Sequence, residues 1–249
     1  MILVHIQQPN TAKILLQSAS TLATQLGKTF GVLNFVAADE LVAVKGNELK
    51  EFLPDTQITV RSSKTNTLSS VCEELEASFL FIQMTDTKAI RKLLNDCRDL
   101  RIPYLFYKDS FGSLDLKKVI LPIGFLEEEL EKAQFAAAFG RFCNSEIKMF
   151  LANDYGSKAA TNAAKMKDLF DKFDFKYMLE KATKDSFKVE AESIQVAVKE
   201  HAGMIIVSAS RDYGLDDILF GPKEYHVVKK SNVPVLLINP RGDLYALCD

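Results

Sequence analysis

Short apolar blocks alternate along the chain with longer stretches in which apolar residues recur at helical spacing. Blocks rich in β-branched and aromatic residues are typical of strands buried on both faces. In the first half these blocks are Ile2–Ile6, Phe30–Val36, Gln57–Arg61, Phe79–Met84 and Tyr104–Tyr107. The spacing between them predicts helices at roughly Thr11–Leu26, Glu40–Phe52, Thr67–Ala77 and Lys88–Leu100. Asn10 or Thr11 is the predicted cap of the first helix, and Gly27 its predicted end.

The same order of elements starts again in the second half. Apolar blocks predict strands at Val119–Ile123, Ile147–Ala152, Tyr177–Ala182, Met204–Val207 and Val235–Asn239. Helical spacing predicts helices at Glu127–Phe142, Lys158–Phe173, Val189–His201 and Glu224–Lys230. Strands that alternate with helices in this way are typical of a parallel sheet covered on both faces.

Matched segments indicate that the two halves are repeats. Ile2-Leu3-Val4 corresponds to Val119-Ile120-Leu121, and both halves end on an apolar residue, a proline and a strand, at Ile102–Phe106 and Val233–Leu237. Two unrelated α/β segments would share some of these features, but the common order favours a duplication. We therefore predict an α/β fold of two tandem Rossmann-like doubly wound domains, each with a mainly parallel five-stranded sheet. The predicted domains cover 1–108 and 117–240, joined by a polar linker at Asp109–Lys117.

Composition narrows the choice of partners and compartment. The chain has 249 residues, is 47% apolar and carries a formal net charge of -2, which gives no electrostatic reason to expect nucleic acid or an anionic membrane surface. No apolar run is long enough to span a bilayer. Its four cysteines include no C-x-x-C pair, which is typical of reduced thiols, and we expect a cytoplasmic protein.

The second half carries a family resemblance. The strand Lys118–Ile123, the segment Ala202–Val207 and the closing stretch Lys229–Ile238 resemble the first strand and the last two strands of universal stress proteins. The resemblance covers residues 117–240, and the internal repeat extends it to 1–108. It implies a five-stranded parallel sheet in which a ligand lies at the carboxyl ends of the strands, where the strand order reverses.

Nucleotide-binding members of that family have an acidic residue after the first strand and a later segment of the form Gly-x2-Gly-x9-Gly-[Ser/Thr]. Glycines let backbone N–H groups approach the phosphates. This chain keeps the spacing but has Ser208, Arg211 and Gly221 at the three glycine positions and Pro222 at the hydroxyl position. Pro222 supplies neither a hydroxyl nor an N–H group. Gly124 stands at the acidic position.

The first half departs further from the nucleotide-binding pattern. Gln7 stands at the acidic position, and Met84 leads almost directly into Thr85–Lys88 and the next helix, so the phosphate segment is essentially absent. Arg211 and Lys223 are candidates to bind a different anion. The alternative interpretation is that both residues are solvated surface charges. Together these departures predict that neither half binds ATP in the manner of the family.

Other catalytic chemistry finds little support in the sequence. His5 and either Cys72 or Cys97 lack an identifiable orienting acid, and no metal-ligand spacing or P-loop occurs. The acidic run Glu127–Glu129 with Glu131 is interpreted as a solvated first helical turn. Five strand aromatics are interpreted as core, with a ligand pocket as the alternative: Phe79, Phe81, Tyr104, Phe106 and Tyr107.

The resemblance implies a non-catalytic stress-response or regulatory binding protein without a cofactor. The alternative is an ATP- or AMP-binding stress protein with a divergent phosphate loop, whose crevice positions are Gly221, Ser208, Arg211 and Gly124. Members of the family often pair through the final strand, which implies a homodimer or an internal pseudo-dimer through Val235–Ile238. An unidentified protein partner is also expected.

Overall fold

The computed structural model describes residues 1–210 and 214–241. The chain divides into two compact units, Met1–Ser113 (unit 1) and Leu114–Asp249 (unit 2). Within the described ranges, no helix is both long and apolar enough to cross a membrane.

Unit 1 alternates strands and helices from its first residues. Its strands are β1 (Ile2–His5), β2 (Phe30–Val36), β3 (Gln57–Ser62), β4 (Phe79–Met84) and β5 (Tyr104–Lys108). Its helices are α1 (Lys13–Gln25), α2 (Leu41–Phe52), α3 (Leu68–Glu74) and α4 (Ile90–Asp96), with single 3-10 turns at Pro9–Thr11 and Thr87–Ala89. Parallel pairing gives the strand order β3-β2-β1-β4-β5.

Unit 2 repeats this arrangement. Its strands are β6 (Lys118–Ile123), β7 (Glu146–Leu151), β8 (Tyr177–Lys181), β9 (Met204–Ser208) and β10 (Val235–Ile238). Its helices are α5 (Glu131–Cys143), α6 (Lys158–Lys172), α7 (Val189–Lys199), α8 (Leu215–Phe220) and α9 (Lys223–Lys230), with a 3-10 turn at Glu127–Leu130. Parallel pairing gives the strand order β8-β7-β6-β9-β10. Strands β7 and β8 lie on one side of β6, and β9 and β10 lie on the other, so the strand order reverses between β6 and β9.

The cores of both units are built from the predicted strands. The five strand aromatics of unit 1 are all buried, with Phe79 and Phe81 in ring contact at 5.1 Å between centroids. Their interpretation as core is therefore confirmed. Helices cover both faces of the sheet in unit 2, where α5 lies against α6 and α7 lies against α9.

The helix ends show where local chemistry differs from the predicted pattern. Gly27 ends α1 as predicted, because it takes a left-handed conformation (φ +61°) while Lys28 N–H donates to the Ala23 carbonyl. The predicted cap at Asn10 or Thr11 is wrong. Those residues lie in the 3-10 turn, and α1 is preceded by Ala12 without a side-chain cap. The short α8, which no apolar pattern predicted, occupies part of the segment between β9 and α9.

Candidate functional site

The carboxyl ends of β1 and β4 in unit 1, and of β6 and β9 in unit 2, are the places where strand order reverses. We call the space above the ends of β1 and β4 the first crevice, and the space above the ends of β6 and β9 the second crevice. In open parallel sheets such crevices are where ligands bind. Both are therefore the candidate sites of this protein.

Gln83 of β4 fills the first crevice with its amide group. The side chain is fully buried, and its Oε1 accepts hydrogen bonds from Gln7 N–H at 2.7 Å and Gln8 N–H at 2.9 Å. Its Nε2 lies 3.0 Å from the Gln8 carbonyl, 2.9 Å from Thr11 Oγ1 and 2.9 Å from Asp109 Oδ1. The backbone N–H groups that follow β1 are thus already bonded to a side chain of the same unit.

Gln7 takes part in the same network. Thr85 Oγ1 donates to Gln7 Oε1 at 3.0 Å, and Thr11 Oγ1 donates to Asp109 Oδ2 at 2.6 Å. The side chain at the family's acidic position is an amide that accepts a hydrogen bond from within unit 1. A long phosphate loop is absent here as predicted, because Asp86 directly caps the 3-10 turn by accepting from Lys88 N–H.

An ion pair occupies the second crevice. Lys132 of α5 is fully buried, and its Nζ donates to Glu129 Oε2 and to the Pro122 carbonyl, each at 2.6 Å. Glu129 also accepts a hydrogen bond from Gly124 N–H at 3.2 Å. Burial alone would raise the pKa of Glu129, but Lys132 and the nearby Lys223 outweigh burial and hold that pKa below its usual value.

A second ion pair closes the other side of this crevice. Lys223 Nζ, at the start of α9, lies 3.1 Å from Glu190 Oε1 of α7. Burial opposes the charge of Lys223, yet Glu190 and Glu129 raise its pKa above the usual range. For Glu190, burial outweighs the lysines and raises the pKa. The adjacent Glu224 is fully buried and accepts from Ser210 Oγ at 2.8 Å. The two lysines are therefore matched by carboxylates of the same unit.

Gly124 lies under a neighbouring loop. A Cβ atom at this position would come within 3.2 Å of Ser186 Oγ, so an acidic side chain would not fit without movement of that loop. Ser186 Oγ instead accepts from Phe125 N–H at 2.9 Å and hydrogen-bonds the Asp154 carboxylate. The Gly124 carbonyl accepts from Asn162 Nδ2 at 3.0 Å. Ser186 and Asn162, which flank Gly124, are thus bonded within unit 2.

The remaining phosphate-segment positions lie near this network, and one lies outside the described residues. Ser208 ends β9; its Oγ is buried and has no hydrogen-bond partner among the described residues. Gly221 has φ +89° and follows α8, and a Cβ there would come within 2.8 Å of the Tyr225 ring. Pro222 precedes α9 with extended backbone. Arg211 lies outside the described residues, so its prediction is not placed by the structure.

Two predictions of solvated charge hold only in part. The Glu127 side chain is 70% exposed, whereas Glu129 is 3% exposed and Glu131 is 8% exposed. The Glu131 carboxylate accepts a hydrogen bond from Arg241 N–H at 3.0 Å. The acidic run is therefore a 3-10 turn that is solvated at its start and buried at Glu129, rather than a helical turn solvated throughout. The Lys223 side chain is 38% exposed and is paired with a carboxylate of α7, so it is a partly exposed charge with an internal partner.

The residues that close both crevices were missed in the sequence, although a signal existed for each. Gln83 is a polar residue in the otherwise apolar strand β4, and Lys132 stands on the inward stripe of α5 that also contains Ala133, Ala136 and Phe139. A charged or amide side chain at an inward position predicts a buried polar network, because burial without partners is costly.

The histidine and cysteine of unit 1 that the sequence offered as catalytic candidates have pKa values that burial shifts away from their usual range. Burial lowers the pKa of His5 to about 4, with a contribution from Lys92, and raises the thiol pKa of Cys72 to about 12. Both shifts keep the groups neutral, which removes thiolate reactivity. Among the described residues, no group of three His, Cys, Asp or Glu side chains is arranged to hold a metal ion.

Comparison with known proteins shows what the fold resembles. No protein-family model matches the chain, and no curated protein matches its sequence significantly. A universal stress protein from Archaeoglobus fulgidus superposes with a TM-score of 0.71 over 97% of this chain and 97% of its own, at 14% identity. A functionally unknown protein from Pseudomonas aeruginosa gives a TM-score of 0.65 over 99% of this chain and 94% of its own, at 15% identity. The tandem α/β fold predicted from the resemblance is therefore confirmed as the fold of universal stress proteins.

Proposed function

We propose that this chain is a non-catalytic stress-response or regulatory binding protein that does not bind nucleotide in either crevice. The observation that carries the proposal is the closure of the second crevice by Lys132, Glu129, Lys223 and Glu190. A triphosphate needs unpaired backbone N–H groups and cations with charge to spare. Here both lysines already face carboxylates, so a bound anion would have to displace an internal partner.

The first crevice supports the same conclusion by different means. Gln83 accepts from the N–H groups of Gln7 and Gln8, and the neighbouring carboxylate of Asp109 would repel a phosphate. A ligand would therefore break several hydrogen bonds before making its own. This network fits a structural role for the repeat rather than a nucleotide site.

The exposed surface around the second crevice suits a protein partner. Phe187 is 84% exposed, Leu215 is 79% exposed, and Phe220 is also exposed, each on a connection that follows the carboxyl end of a strand of unit 2. Exposed large apolar side chains at one edge of a domain are typical of interaction surfaces. Regulation through protein contact, in the cytoplasm, is the activity that we propose. The prediction of pairing through the final strands remains part of this proposal.

A thermal-shift titration of the full chain with Mg-ATP and Mg-AMP tests the proposal. A ligand that binds only the folded state raises the melting temperature by mass action, by an amount equivalent to about 2.7 kcal/mol at a hundredfold excess over Kd. We expect no shift at millimolar nucleotide. Mass spectrometry of small molecules released from the purified protein extends the test to other ligands.

Lys223→Met is the matched variant for this titration. If nucleotide binds through Lys223, the wild type should gain melting temperature with Mg-ATP and the variant should not. Magnesium tripolyphosphate at equal concentration separates a nucleotide site from a general anion effect. A saturable rise with ATP that tripolyphosphate does not reproduce would overturn the proposal in favour of the divergent nucleotide site.

A further inference from the structure

Strand β8 (Tyr177–Lys181) is the terminal strand of unit 2 on the side away from β9, and its surface is open. Its residues pair with β7 in parallel register, and Met178 and Leu179 are 49% and 47% exposed. In unit 1 the corresponding terminal strand β3 is covered by α2, whereas the extensive contacts of β8 are with β7. Within the described residues, only β7 pairs with β8.

The backbone of β8 has one bonded and one open side. Ile147 N–H donates to the Lys176 carbonyl, and Ala182 N–H donates to the Leu151 carbonyl. In a parallel ladder, bonded residues alternate, so the even-numbered residues of β8 face β7. The N–H and C=O groups of Tyr177, Leu179 and Lys181 consequently point away from the sheet, where they can bond another strand.

The charges of this edge are self-complementary. Lys176 and Glu180 stand two residues on either side of Met178, on one face of the strand. The Glu180 carboxylate lies 2.6 Å from Lys148 Nζ on β7 and keeps 49% of its side chain exposed, so its outer side remains open to a second cation. If two copies of β8 pair antiparallel about a twofold axis at Met178, each Lys176 lies opposite the partner's Glu180. The same register places each Tyr177 opposite the partner's Leu179, as a hydrogen-bonded pair of outward-facing residues.

Neighbouring registers that keep the outward groups paired are poorer. An axis at Glu180 places two glutamates opposite each other, and an axis at Tyr177 places Asp174 opposite Glu180. An axis at Leu179 places Met178 opposite Glu180 and leaves the charges unmatched. Edge strands that avoid self-association usually carry charged side chains, proline or bulges. β8 carries charged side chains too, but in the register centred on Met178 they attract the second copy.

We propose that the protein forms a homodimer by antiparallel pairing of β8 with β8 of a second copy, centred on Met178. The inference is independent of the proposed function. It also differs from the predicted pairing through the final strands, because it uses the opposite edge of the unit 2 sheet. A five-residue strand pair buries less area than a standard stable interface, so the association is weak, with a micromolar dissociation constant.

Disulfide trapping with two cysteine variants tests the register. In the proposed dimer the two copies of residue 178 form a non-hydrogen-bonded pair with Cα atoms about 4.5 Å apart, a separation that a disulfide can span. The two copies of residue 179 lie about 7–8 Å apart, beyond that range. With oxidised glutathione, Met178→Cys should give a covalent dimer, and the equally exposed Leu179→Cys and the wild type should not.

Sedimentation velocity of the uncrosslinked chain tests the charge complementarity. The wild type should show a monomer–dimer equilibrium in the micromolar range, and Lys176→Glu, which faces the partner's Glu180, should weaken it at least tenfold. Lys167→Glu on α6 makes the same charge change at another exposed position and should leave the equilibrium unchanged.

Three outcomes would overturn the proposal. The first is a wild type that remains monomeric throughout the concentration range. The second is crosslinking of Leu179→Cys in preference to Met178→Cys, which would place the axis elsewhere. The third is a wild-type dimer that neither crosslinks at residue 178 nor responds to Lys176→Glu, which would assign the dimer to another surface such as the final strands.

Discussion

The first and second crevices lie at the same point of the same fold, yet they are closed by different chemistry. The internal repeat aligns Gln83 of β4 with Ser208 of β9. In unit 1 the long amide of Gln83 reaches the backbone after β1 and fills the crevice with neutral hydrogen bonds. In unit 2 the short Ser208 side chain finds no hydrogen-bond partner in the described part of the chain, and the ion pair of Lys132 and Glu129 occupies the space instead.

This difference shows that the same point of the fold can be filled in two ways. A neutral side chain at the strand end closes the crevice locally, because all of its partners are backbone groups and nearby side chains of adjacent loops. A charged pair makes stability more sensitive to mutation, since the loss of one partner leaves a buried charge without its counter-charge. The two crevices should therefore respond very differently to loss of one side chain.

Replacement of Lys132 by methionine should have the largest effect. The variant leaves Glu129 buried without its cation, and removal of one partner of a buried pair costs about 3–5 kcal/mol in free energy of unfolding. Urea unfolding followed by circular dichroism should show this loss. Hydrogen exchange of the β6 and β9 amides should assign it to unit 2.

Two further variants separate charge from packing at this site. Lys132→Met combined with Glu129→Gln removes both charges and should recover most of the lost stability, because the amide can still accept from Gly124 N–H. Lys165→Met removes an exposed lysine 3.9 Å from Glu127 and should change stability by less than about 1 kcal/mol. A single Lys132 variant as stable as the Lys165 variant would refute the closure that we describe.

Replacement of Gln83 by leucine should have the next largest effect, and in unit 1. The N–H groups of Gln7 and Gln8 would lose their acceptor, at a cost of about 2–3 kcal/mol for buried groups left unbonded. No charge is stranded, so the loss should be smaller than for Lys132. Hydrogen exchange of the β1 and β4 amides should assign this loss of stability to unit 1. The matched control is Gln17→Leu, which makes the same substitution at an exposed position of α1. Equal losses of stability in Lys132→Met and Gln83→Leu would contradict the expected difference between closure by a charged pair and closure by a neutral side chain.

The sequence predicted the scaffold better than it predicted the closure of the crevices. Strand blocks such as Phe79–Met84 depend on local apolar pattern, and the structure has that strand with the same bounds. The ion pair of Lys132 depends on where α5 lies against β6, which a single sequence does not encode locally. Glu127–Glu129 has the composition of a solvated turn, and only tertiary packing buries Glu129. The departures at the acidic position Gly124 and at the hydroxyl position Pro222 could be recognised in the sequence, because the family's motif gives the residue types and spacing to compare.

Acid should destabilise the two units over different pH ranges. His5 in unit 1 has a folded pKa of about 4 against 6.5 when unfolded, so its neutral form is favoured by folding. The associated stability is present above pH 6.5 and is lost as pH falls towards 4, with about 2 kcal/mol gone at pH 5. Glu129 in unit 2 has a lowered pKa, so its contribution is lost only as pH falls below the ordinary carboxyl pKa of about 4.3.

The variant His5→Phe tests this order of acid sensitivity. It keeps an aromatic ring against Phe35 and removes the titrating group. Between pH 7 and pH 5, urea unfolding of the wild type should lose about 2 kcal/mol and the variant far less. A parallel decline in both proteins would mean that groups other than His5 set the acid response of unit 1.

Replacement of Ser208 by alanine should have the smallest effect and the opposite sign. Its Oγ is buried and bonds none of the residues that the structure describes, so removing the hydroxyl relieves a desolvation cost and should raise the free energy of unfolding by up to about 1 kcal/mol. Ser231 is equally buried, but its Oγ donates to the Val233 carbonyl at 2.6 Å and accepts from Val233 N–H. Ser231→Ala should therefore lower stability by about 1–2 kcal/mol. If Ser208→Ala instead lowers stability as much as Ser231→Ala, the Ser208 hydroxyl has a hydrogen-bond partner other than the described residues, and mass spectrometry of released small molecules should show whether that partner is a ligand. A ligand found in this way would favour the divergent ligand site over the closed crevice.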